Sequence, residues 1–229
     1  MQLFHVNEAS MKNLVRKKFI LGFLLILFLG TLNLLADEQG WINNSLAIKL
    51  NQKFSISFIQ ETRCNEITYL DPYLINIRAM LTYKLPKNFH IAVYYRRQDA
   101  EKKDVVIHEN RFIIESGWKT SVIEDTAFDI RLQGEIRRYI ETPDSNYFRM
   151  RMRFRLKTKV SIGDLIINPF IATEPFWSVD KDGYERNRFY LGAEFPMTKN
   201  VTFVLNYIRE DKKNTEAIYI LNSGFKLNF

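Results

Sequence analysis

Histidine and cysteine are the side chains that most readily act as a base, a nucleophile or a transition-metal ligand near neutral pH, and this sequence has few of them. There are three histidines and a single cysteine, Cys64. One cysteine cannot form an internal disulfide, and a reactive thiol needs an activating neighbourhood. The sequence contains no Cys/His spacing of a metal site, no phosphate-binding glycine loop and no dinucleotide-binding glycine pattern. We therefore predict no metal site and no cofactor.

Among the histidines, His108 comes nearest to a catalytic arrangement. Asn110 follows two positions later, whereas Ser116 lies eight positions along the same segment. A general base must reach its nucleophile at hydrogen-bond distance, and this spacing does not provide that. We predict no catalytic residues and no enzyme, with a lipid hydrolase that uses His108 as the alternative.

Arginine forms the most regular chemical pattern. In NYFRMRMRFRLKTKV, basic residues alternate with apolar ones from Phe148 to Val160. A β-strand would place the two sets on opposite faces, whereas a helix would mix them around its circumference. The segment is therefore predicted to be a strand with cations on one face and apolar side chains on the other.

The same alternation runs through most of the chain after residue 37. It gives segments of roughly 11–16 residues, longer than the usual soluble strand of about 5–6 and sufficient for the roughly 9–11 that cross a bilayer. Tight turns (LPKN, MTKN) alternate with longer charged loops (DAEKKD, EDKKNT), as in barrels whose two ends differ. A soluble sandwich is the alternative, because alternation alone does not say which face meets water.

These features predict an all-β fold, a transmembrane antiparallel up-and-down β-barrel of about ten strands, with twelve possible. Ten strands are counted from Phe54 to the end, and bacterial single-chain barrels have even numbers. Trp41 to Gln52 reads as an eleventh strand. It is expected to be an N-terminal extension or a lumen insert, unless a further strand makes twelve.

The N-terminal residues carry an export signal. From Met11, a basic start precedes the apolar run Phe19 to Leu29 and a tail that ends at Ala36, the pattern of a cleaved signal peptide. We predict an upstream extension and signal peptide over 1–36 and a barrel over 37–229. A retained transmembrane helix is the alternative, and either Met1 or Met11 is the start.

The positive charge does not indicate nucleic-acid binding. The chain has 33 Lys and Arg against 26 Asp and Glu, a net charge of +7. Residues 1–36 hold four of the basic residues and one of the acidic ones, which leaves 29 against 25, or +4. The arginine row belongs to one strand face, so no nucleic-acid partner is expected.

The last eight residues, NSGFKLNF, resemble the outer-membrane barrel assembly signal. The matching positions are Asn222, Gly224, Leu227 and the terminal Phe229. This resemblance implies that the barrel assembly machinery reads the last strand during biogenesis.

The remainder resembles a family of bacterial outer-membrane barrels known only as a domain of unknown function. The resemblance spans about residues 38–229 and is carried by QETR, YYRRQD, LQGEIRRY, FRMRMRFR, EPFW and RNRFYLGAEF. It implies an outer-membrane location after export through the periplasm, with outer-membrane lipids as neighbours. It brings no activity with it.

The inward face of such a barrel would carry a ladder of charge. Hairpin registers place Glu135 near Arg149 or Arg151, and Glu174 near Arg151. The predicted inward set is Glu61, Arg63, Arg78, Glu109, Arg111, Glu115, Asp129, Arg131, Glu135, Arg137, Arg149, Arg151, Arg153, Arg155, Glu174, Arg186, Arg188 and Glu194.

Two functions follow from this ladder. It can fill and stiffen a closed, structural barrel, or it can form a small anion-selective channel. Whether the lumen is open, what solute it would take and the oligomeric state stay undetermined. Seven aromatic residues fall near predicted strand ends, where they could form interface girdles or take part in ordinary strand packing: Tyr94, Tyr95, Trp118, Tyr139, Tyr147, Trp177 and Tyr207.

Overall fold

The computed structural model describes residues 39–65, 72–102, 105–163, 165–180 and 183–229. The predicted leader, residues 1–36, lies outside this part of the chain. The described residues contain no helix long and apolar enough to cross a membrane. Their elements are a short 3-10 turn, Pro143–Ser145, and the strands β1 (Gln39–Lys49), β2 (Phe54–Cys64), β3 (Pro72–Lys84), β4 (Phe89–Lys102), β5 (Val105–Ile123), β6 (Thr126–Tyr139), β7 (Tyr147–Thr158), β8 (Val160–Ile162), β9 (Leu165–Ser178), β10 (Gly183–Pro196), β11 (Val201–Lys212) and β12 (Ile218–Asn228).

The strands form one closed antiparallel meander, which confirms the predicted fold class. Each long strand pairs antiparallel with the next, and β12 returns to pair with β1. Within the described ranges the barrel has eleven long strands of 11 to 19 residues and the short β8. The eleven long strands lie between the ten that the sequence predicted and the twelve that it left possible.

The eleventh strand is the N-terminal segment whose role the sequence left open. β1 pairs antiparallel with β2 and parallel with β12. It is neither an extension nor a lumen insert but part of the wall. In an up-and-down meander, strands one and eleven run in the same direction, so an odd number can close only through a parallel pair.

The β1–β12 seam has a local irregularity at Asn43 and Asn44. Ladder pairing stops after Ile42 and Ser223 and resumes at Ser45 and Lys226 without a change of register. The side-chain oxygen of Asn44 accepts a hydrogen bond from the backbone N–H of Phe225 (3.1 Å). This bond satisfies a donor in the gap of the ladder.

Gly224 lies in the same gap and allows the two strands to approach closely. A Cβ atom at this position would overlap the backbone carbonyl of Asn43. Glycine is needed here for space.

β7 and β8 are one strand interrupted opposite a proline. Lys157 lies opposite Phe170 and Val160 opposite Ile167, so the register against β9 is the same on both sides of the break. Pro169 faces the interruption, and Pro175 faces a second gap in the β7–β9 ladder. Proline has no N–H to donate, which explains both gaps.

The two faces of the wall have opposite polarity. Glu135 and Glu109 on the inner face are 0% and 1% exposed, whereas Ile114 and Ile77 on the outer face are 66% and 58% exposed. The charged side chains are therefore enclosed, and large apolar side chains form the outer surface. This is the reverse of a soluble barrel.

Outward-facing aromatic pairs lie beside the short turns. Phe54 contacts Tyr83 beside one turn, with ring centroids 4.8 Å apart, and Phe89 contacts Trp118 beside another at 6.1 Å. At the 197–200 turn, Phe203 lies between Phe195 and Phe225.

The aromatic residues near predicted strand ends divide between the two faces of the wall. Trp118 belongs to the outer surface, but Tyr94 is buried inside the barrel and hydrogen-bonds Glu115. Tyr139 and Tyr147 lie beside the inward guanidinium of Arg137. A tyrosine can face the polar lumen because its hydroxyl forms hydrogen bonds there. The position of a residue near a strand end does not show which face it lies on.

Candidate functional site: the charged lumen

The lumen has two regions. The first, which we call the ion-pair cluster, consists of Glu109, Arg111, Glu135, Arg137 and Arg149 and lies in the half with the longer loops. The second is a cavity of about 360 Å³ that continues toward the short turns.

Glu135 is the centre of the ion-pair cluster. Its carboxylate accepts hydrogen bonds from Arg149 (Nη2, 2.6 Å) and Arg151 (Nη1, 2.7 Å), and Arg111 lies 3.8 Å away. One fully enclosed carboxylate thus joins β5, β6 and β7 through charge-assisted bonds.

Glu109 makes the second set of bonds in the cluster. It accepts from Arg111 (Nε, 2.7 Å), from Arg137 (Nη2, 2.9 Å) and from the amide of Gln98 (3.2 Å). These contacts tie β4, β5 and β6 together across the inner face.

Phe176 lies among guanidinium groups. The guanidinium carbons of Arg151 and Arg188 are 4.7 and 4.9 Å from its ring centroid, and that of Arg149 is 5.1 Å away. The ring is 1% exposed. Cation–π attraction and packing hold these charged groups against an apolar centre, and nothing in the alternation pattern of β9 indicated this.

Arginines face one another directly across consecutive strands. Arg78 lies opposite Arg96, Arg96 opposite Arg111, and Arg111 opposite Arg137. Like charges in directly opposed positions are destabilising on their own. Carboxylates beside this row offset the repulsion, and each of them contacts several arginines.

Glu61 shows this sharing. Arg63 lies 2.7 Å from its carboxylate, Arg78 hydrogen-bonds it, and Arg96 lies 3.5 Å away. Arg63 also stacks over the ring of Trp41 at 3.7 Å, where β1 closes the barrel.

Cations outnumber carboxylates in the lining of the cavity. Among the described residues, nine basic side chains and three carboxylates line it. The basic ones are Arg63, Arg78, Arg96, Arg131, Arg151, Arg153, Arg155, Arg188 and Lys226, and the carboxylates are Glu61, Glu174 and Glu194.

Glu174 and Glu194 connect opposite parts of the cavity wall. Glu174 is 2.9 Å from both Arg131 and Arg151 and accepts a hydrogen bond from the Tyr190 hydroxyl (2.7 Å). Glu194 is 2.8 Å from Lys226, which remains 39% exposed near the end of β12. The cavity therefore approaches solvent at the end of the barrel with the short turns.

All members of the predicted inward set lie on the lumen side of the wall. Glu135 bonds both Arg149 and Arg151, and Glu174 bonds Arg151, as the hairpin registers predicted. The remaining contacts in the set join Arg131 to Glu115 and Glu174, Arg153 and Arg155 to Asp129, Arg155 to Glu194, and Arg186 and Arg188 to Glu210.

Several lumen residues were missed by the sequence analysis. Arg96 lies directly opposite Arg78 across the LPKN turn, and Glu210 lies opposite Arg188 across the MTKN turn. Carrying the strand parity across each tight turn would have identified both. Gln133, which bonds Tyr94 and Glu115, is on the predicted inward parity but is uncharged.

His108 lies on the outer face near the longer loops. Its Nδ1 atom is 2.7 Å from Asp99, and its backbone N–H donates to Glu141 (2.9 Å). This backbone bond lowers the pKa of the Glu141 carboxyl. Among the described residues, no serine or threonine hydroxyl hydrogen-bonds the His108 ring.

The other histidine in the described residues faces inward. His90 lies 3.1 Å from Glu115. The described part of the chain contains no group of three or more His, Cys, Asp or Glu side chains that could hold a metal ion. Cys64 is buried.

The four residues that resemble an assembly signal take different positions on β12. Asn222 faces the lumen opposite Asn206, Gly224 lies in the seam, and Leu227 faces outward opposite Leu46. Phe229 is 63% exposed, and its backbone donates to Ala47 (2.9 Å) and accepts from Lys49 (2.8 Å).

Two solved structures are similar to this fold. The beta domain of the Bordetella autotransporter Brka has a TM-score of 0.52 at 11% identity, with 77% of this chain and 82% of that chain covered. A NanC porin has a TM-score of 0.53 at 12% identity, with 84% of this chain and 99% of that chain covered. At these identities the likeness concerns the fold alone.

No curated protein sequence matches the chain. Residues 38–219 match the family described as protein of unknown function, DUF2490. That match covers most of the chain, including β1 and nearly all of the wall, so the chain belongs to the DUF2490 family.

Proposed function

We propose that this protein is an integral β-barrel of the bacterial outer membrane whose lumen is closed by ion pairs. The observation that carries the proposal is the reversed polarity of the wall. Burying charge inside while exposing Ile, Phe and Val outside is unfavourable in water but suits a lipid surround. Outer-membrane lipids are the partners that this surface fits.

The aromatic pairs beside the short turns support an orientation. Aromatic rings are enriched where a membrane meets water, and in such barrels the short turns face the periplasm. The cavity would then approach the periplasmic side, and the ion-pair cluster would lie toward the outside.

The ion-pair cluster supports a closed lumen. Its carboxylates are almost fully enclosed, and they are bonded to arginines from neighbouring strands. Opening a water-filled path through it would require breaking several charge-assisted bonds together. We infer a structural, non-conducting barrel at rest.

Location is tested by fractionating cells that express the protein and by comparing gel migration with and without boiling. We expect the protein in the outer-membrane fraction with a band that shifts on heating, because a closed barrel resists detergent unfolding at room temperature. A periplasmic protein whose band does not shift would contradict the proposal.

Closure is tested by recording currents across a planar bilayer that contains the purified barrel. We expect no stable conductance from the native protein. A steady, reproducible conductance would contradict closure and favour the second candidate.

That second candidate is a small anion-selective channel, and the excess of cations around the cavity favours it. If the native barrel conducts, its reversal potential should indicate anion selectivity. Arg153→Glu should reduce that selectivity, because Arg153 lines the cavity. Arg209→Glu is the matched control, since Arg209 is an outer-surface arginine paired with Asp211 at 2.9 Å.

A further inference from the structure

We propose that the lumen cavity is a binding site for a small oxyanion that also carries hydroxyl groups. The site is centred on Arg153, with Arg96 as a second cation and the amides of Asn206 and Asn222 as the uncharged part. The proposal rests on the inward-facing charges of the barrel described above. It holds whether or not the barrel lies in a membrane and whether or not it conducts ions.

The first argument is the distribution of carboxylates. The cavity carboxylates each serve more than one cation: Glu61 serves three arginines, Glu174 serves two, and Glu194 serves Arg155, Lys157 and Lys226. The lining cations also contact four carboxylates outside the lining, Glu115, Asp129, Glu135 and Glu210. Nine lining cations thus share seven carboxylates, three plus four, and Glu194, Glu135 and Glu210 also serve cations outside the lining.

Arg153 is the least neutralised of these cations. Its closest carboxylate is Asp129 at 3.6 Å, and Asp129 already accepts a 2.6 Å bond from Arg155. Its Nε is buried and has no hydrogen-bond partner among the described residues. Directly opposite on β6 lies another arginine, Arg131.

Arg96 has the same deficit on the other side of the cavity. It is 3% exposed, and its Nη2 donates to Gln98 at 2.7 Å while Glu61 is 3.5 Å away. Its Nε also lacks a hydrogen-bond partner within the described ranges. An enclosed cation without a close counter-charge is costly.

A bound oxyanion would remove this cost. The planar guanidinium group matches the two oxygens of a carboxylate or phosphate and forms paired bonds with them. The cavity volume of about 360 Å³ lies within the range of about 300–1,000 Å³ of small-molecule sites.

The second argument is the uncharged part of the lining. Asn206 and Asn222 are directly opposite each other on β11 and β12, and both line the cavity. The side-chain oxygen of each is buried and has no hydrogen-bond partner among the described residues. Such oxygens accept bonds from hydroxyl groups, so the ligand should carry hydroxyls as well as a charged group.

The test uses the folded full barrel in a non-ionic detergent at low salt, with binding measured by calorimetry. The probes are gluconate, which has a carboxylate and hydroxyls, hexanoate, which has the same chain length without hydroxyls, and sorbitol, which has hydroxyls without charge. We expect gluconate to bind, hexanoate to bind about 10-fold more weakly, and sorbitol not to bind. Inorganic phosphate should compete with gluconate.

Two variants assign the binding to this cavity. Arg153→Gln should weaken gluconate binding by about 10-fold or more, whereas Arg209→Gln, which removes one charge from the outer surface, should not. Asn206→Val should reduce the preference for gluconate over hexanoate and leave hexanoate binding unchanged, because Asn222 remains. A band that shifts on heating shows that each variant is folded. Arg153→Lys is a milder change, because it removes the guanidinium group and retains the positive charge.

The proposal is overturned if folded native barrel binds neither anion, or if Arg153→Gln binds gluconate as the native barrel does. Equal weakening by Arg209→Gln would also overturn it, because binding would then follow net charge. The two proposals can fail separately. If the native barrel conducts ions and still binds gluconate, the closed lumen is refuted and the binding site stands. If the barrel does not conduct and binds no anion, the binding site is refuted and the closed lumen stands.

Discussion

At the scale of single residues, the lumen is organised by carboxylates that each serve several arginines. Glu135 bonds Arg149 and Arg151, and Glu109 bonds Arg111 and Arg137. Opposed arginines on neighbouring strands would repel each other without them. Removing one enclosed carboxylate therefore weakens the charge pairing of more than one arginine at once.

Glu135→Gln is predicted to lower the free energy of unfolding by about 3–5 kcal/mol, the cost of breaking a buried pair by removal of one partner. Urea unfolding of the refolded barrel in detergent, followed by tryptophan fluorescence, measures the change. Glu216→Gln in the exposed β11–β12 loop is the control and should leave stability unchanged. Equal stability of the two variants would show that the cluster is not a source of stability.

At the scale of elements, β12 closes the wall, and we propose that its end also serves as an assembly signal. Its backbone closes the barrel against β1 through Phe229, Ala47 and Lys49, and its last side chain is the residue that resembles an assembly signal. The closing role uses the main chain, whereas recognition by the assembly machinery would use the aromatic ring.

Phe229→Ala separates these roles because it removes the ring and retains the backbone bonds. We expect poorer insertion into the outer membrane of cells but unchanged stability after refolding in detergent. Phe58→Ala, which removes an outward ring from β2, should insert normally. Normal insertion of Phe229→Ala would refute the assembly signal, whereas deletion of Phe229 is expected to impair insertion and to weaken the seam.

At the scale of the whole molecule, the odd strand number determines how the wall closes. Leu46 on β1 lies directly opposite Leu227 on β12, and on its other side β1 pairs Leu46 with Phe58 of β2. In a ten-stranded barrel without β1 in the wall, β2 and β12 would be neighbours instead.

Paired cysteines distinguish the two closures in a Cys64→Ser background. Leu46→Cys with Leu227→Cys should form a disulfide under mild oxidation, because adjacent strands are about 4.8 Å apart. Phe58→Cys with Leu227→Cys should not, since two strand spacings of about 9.6 Å exceed disulfide reach. Cross-linking of the second pair and not the first would show that β1 lies outside the wall.

The sequence by itself determined the strands, their two faces and the chemical character of each face. This is because the period of two is a local property of extended backbone, so each of the arginines 149, 151, 153 and 155 could be assigned a face before any pairing was known. Short-range hairpin partners such as Glu135 and Arg149 followed from the turns between them. The assembly signal and the leader stay predictions from sequence.

Only the tertiary structure decided the strand number, the parallel seam and the contacts across the lumen. Whether Trp41–Gln52 joins the wall depends on whether β1 fits between β2 and β12, and that is a property of the closed sheet as a whole. The bond from Arg131 to Glu174 joins residues 43 positions apart, and Phe176 meets arginines of both β7 and β10. Such contacts depend on how the sheet curls, which alternation along one strand does not encode.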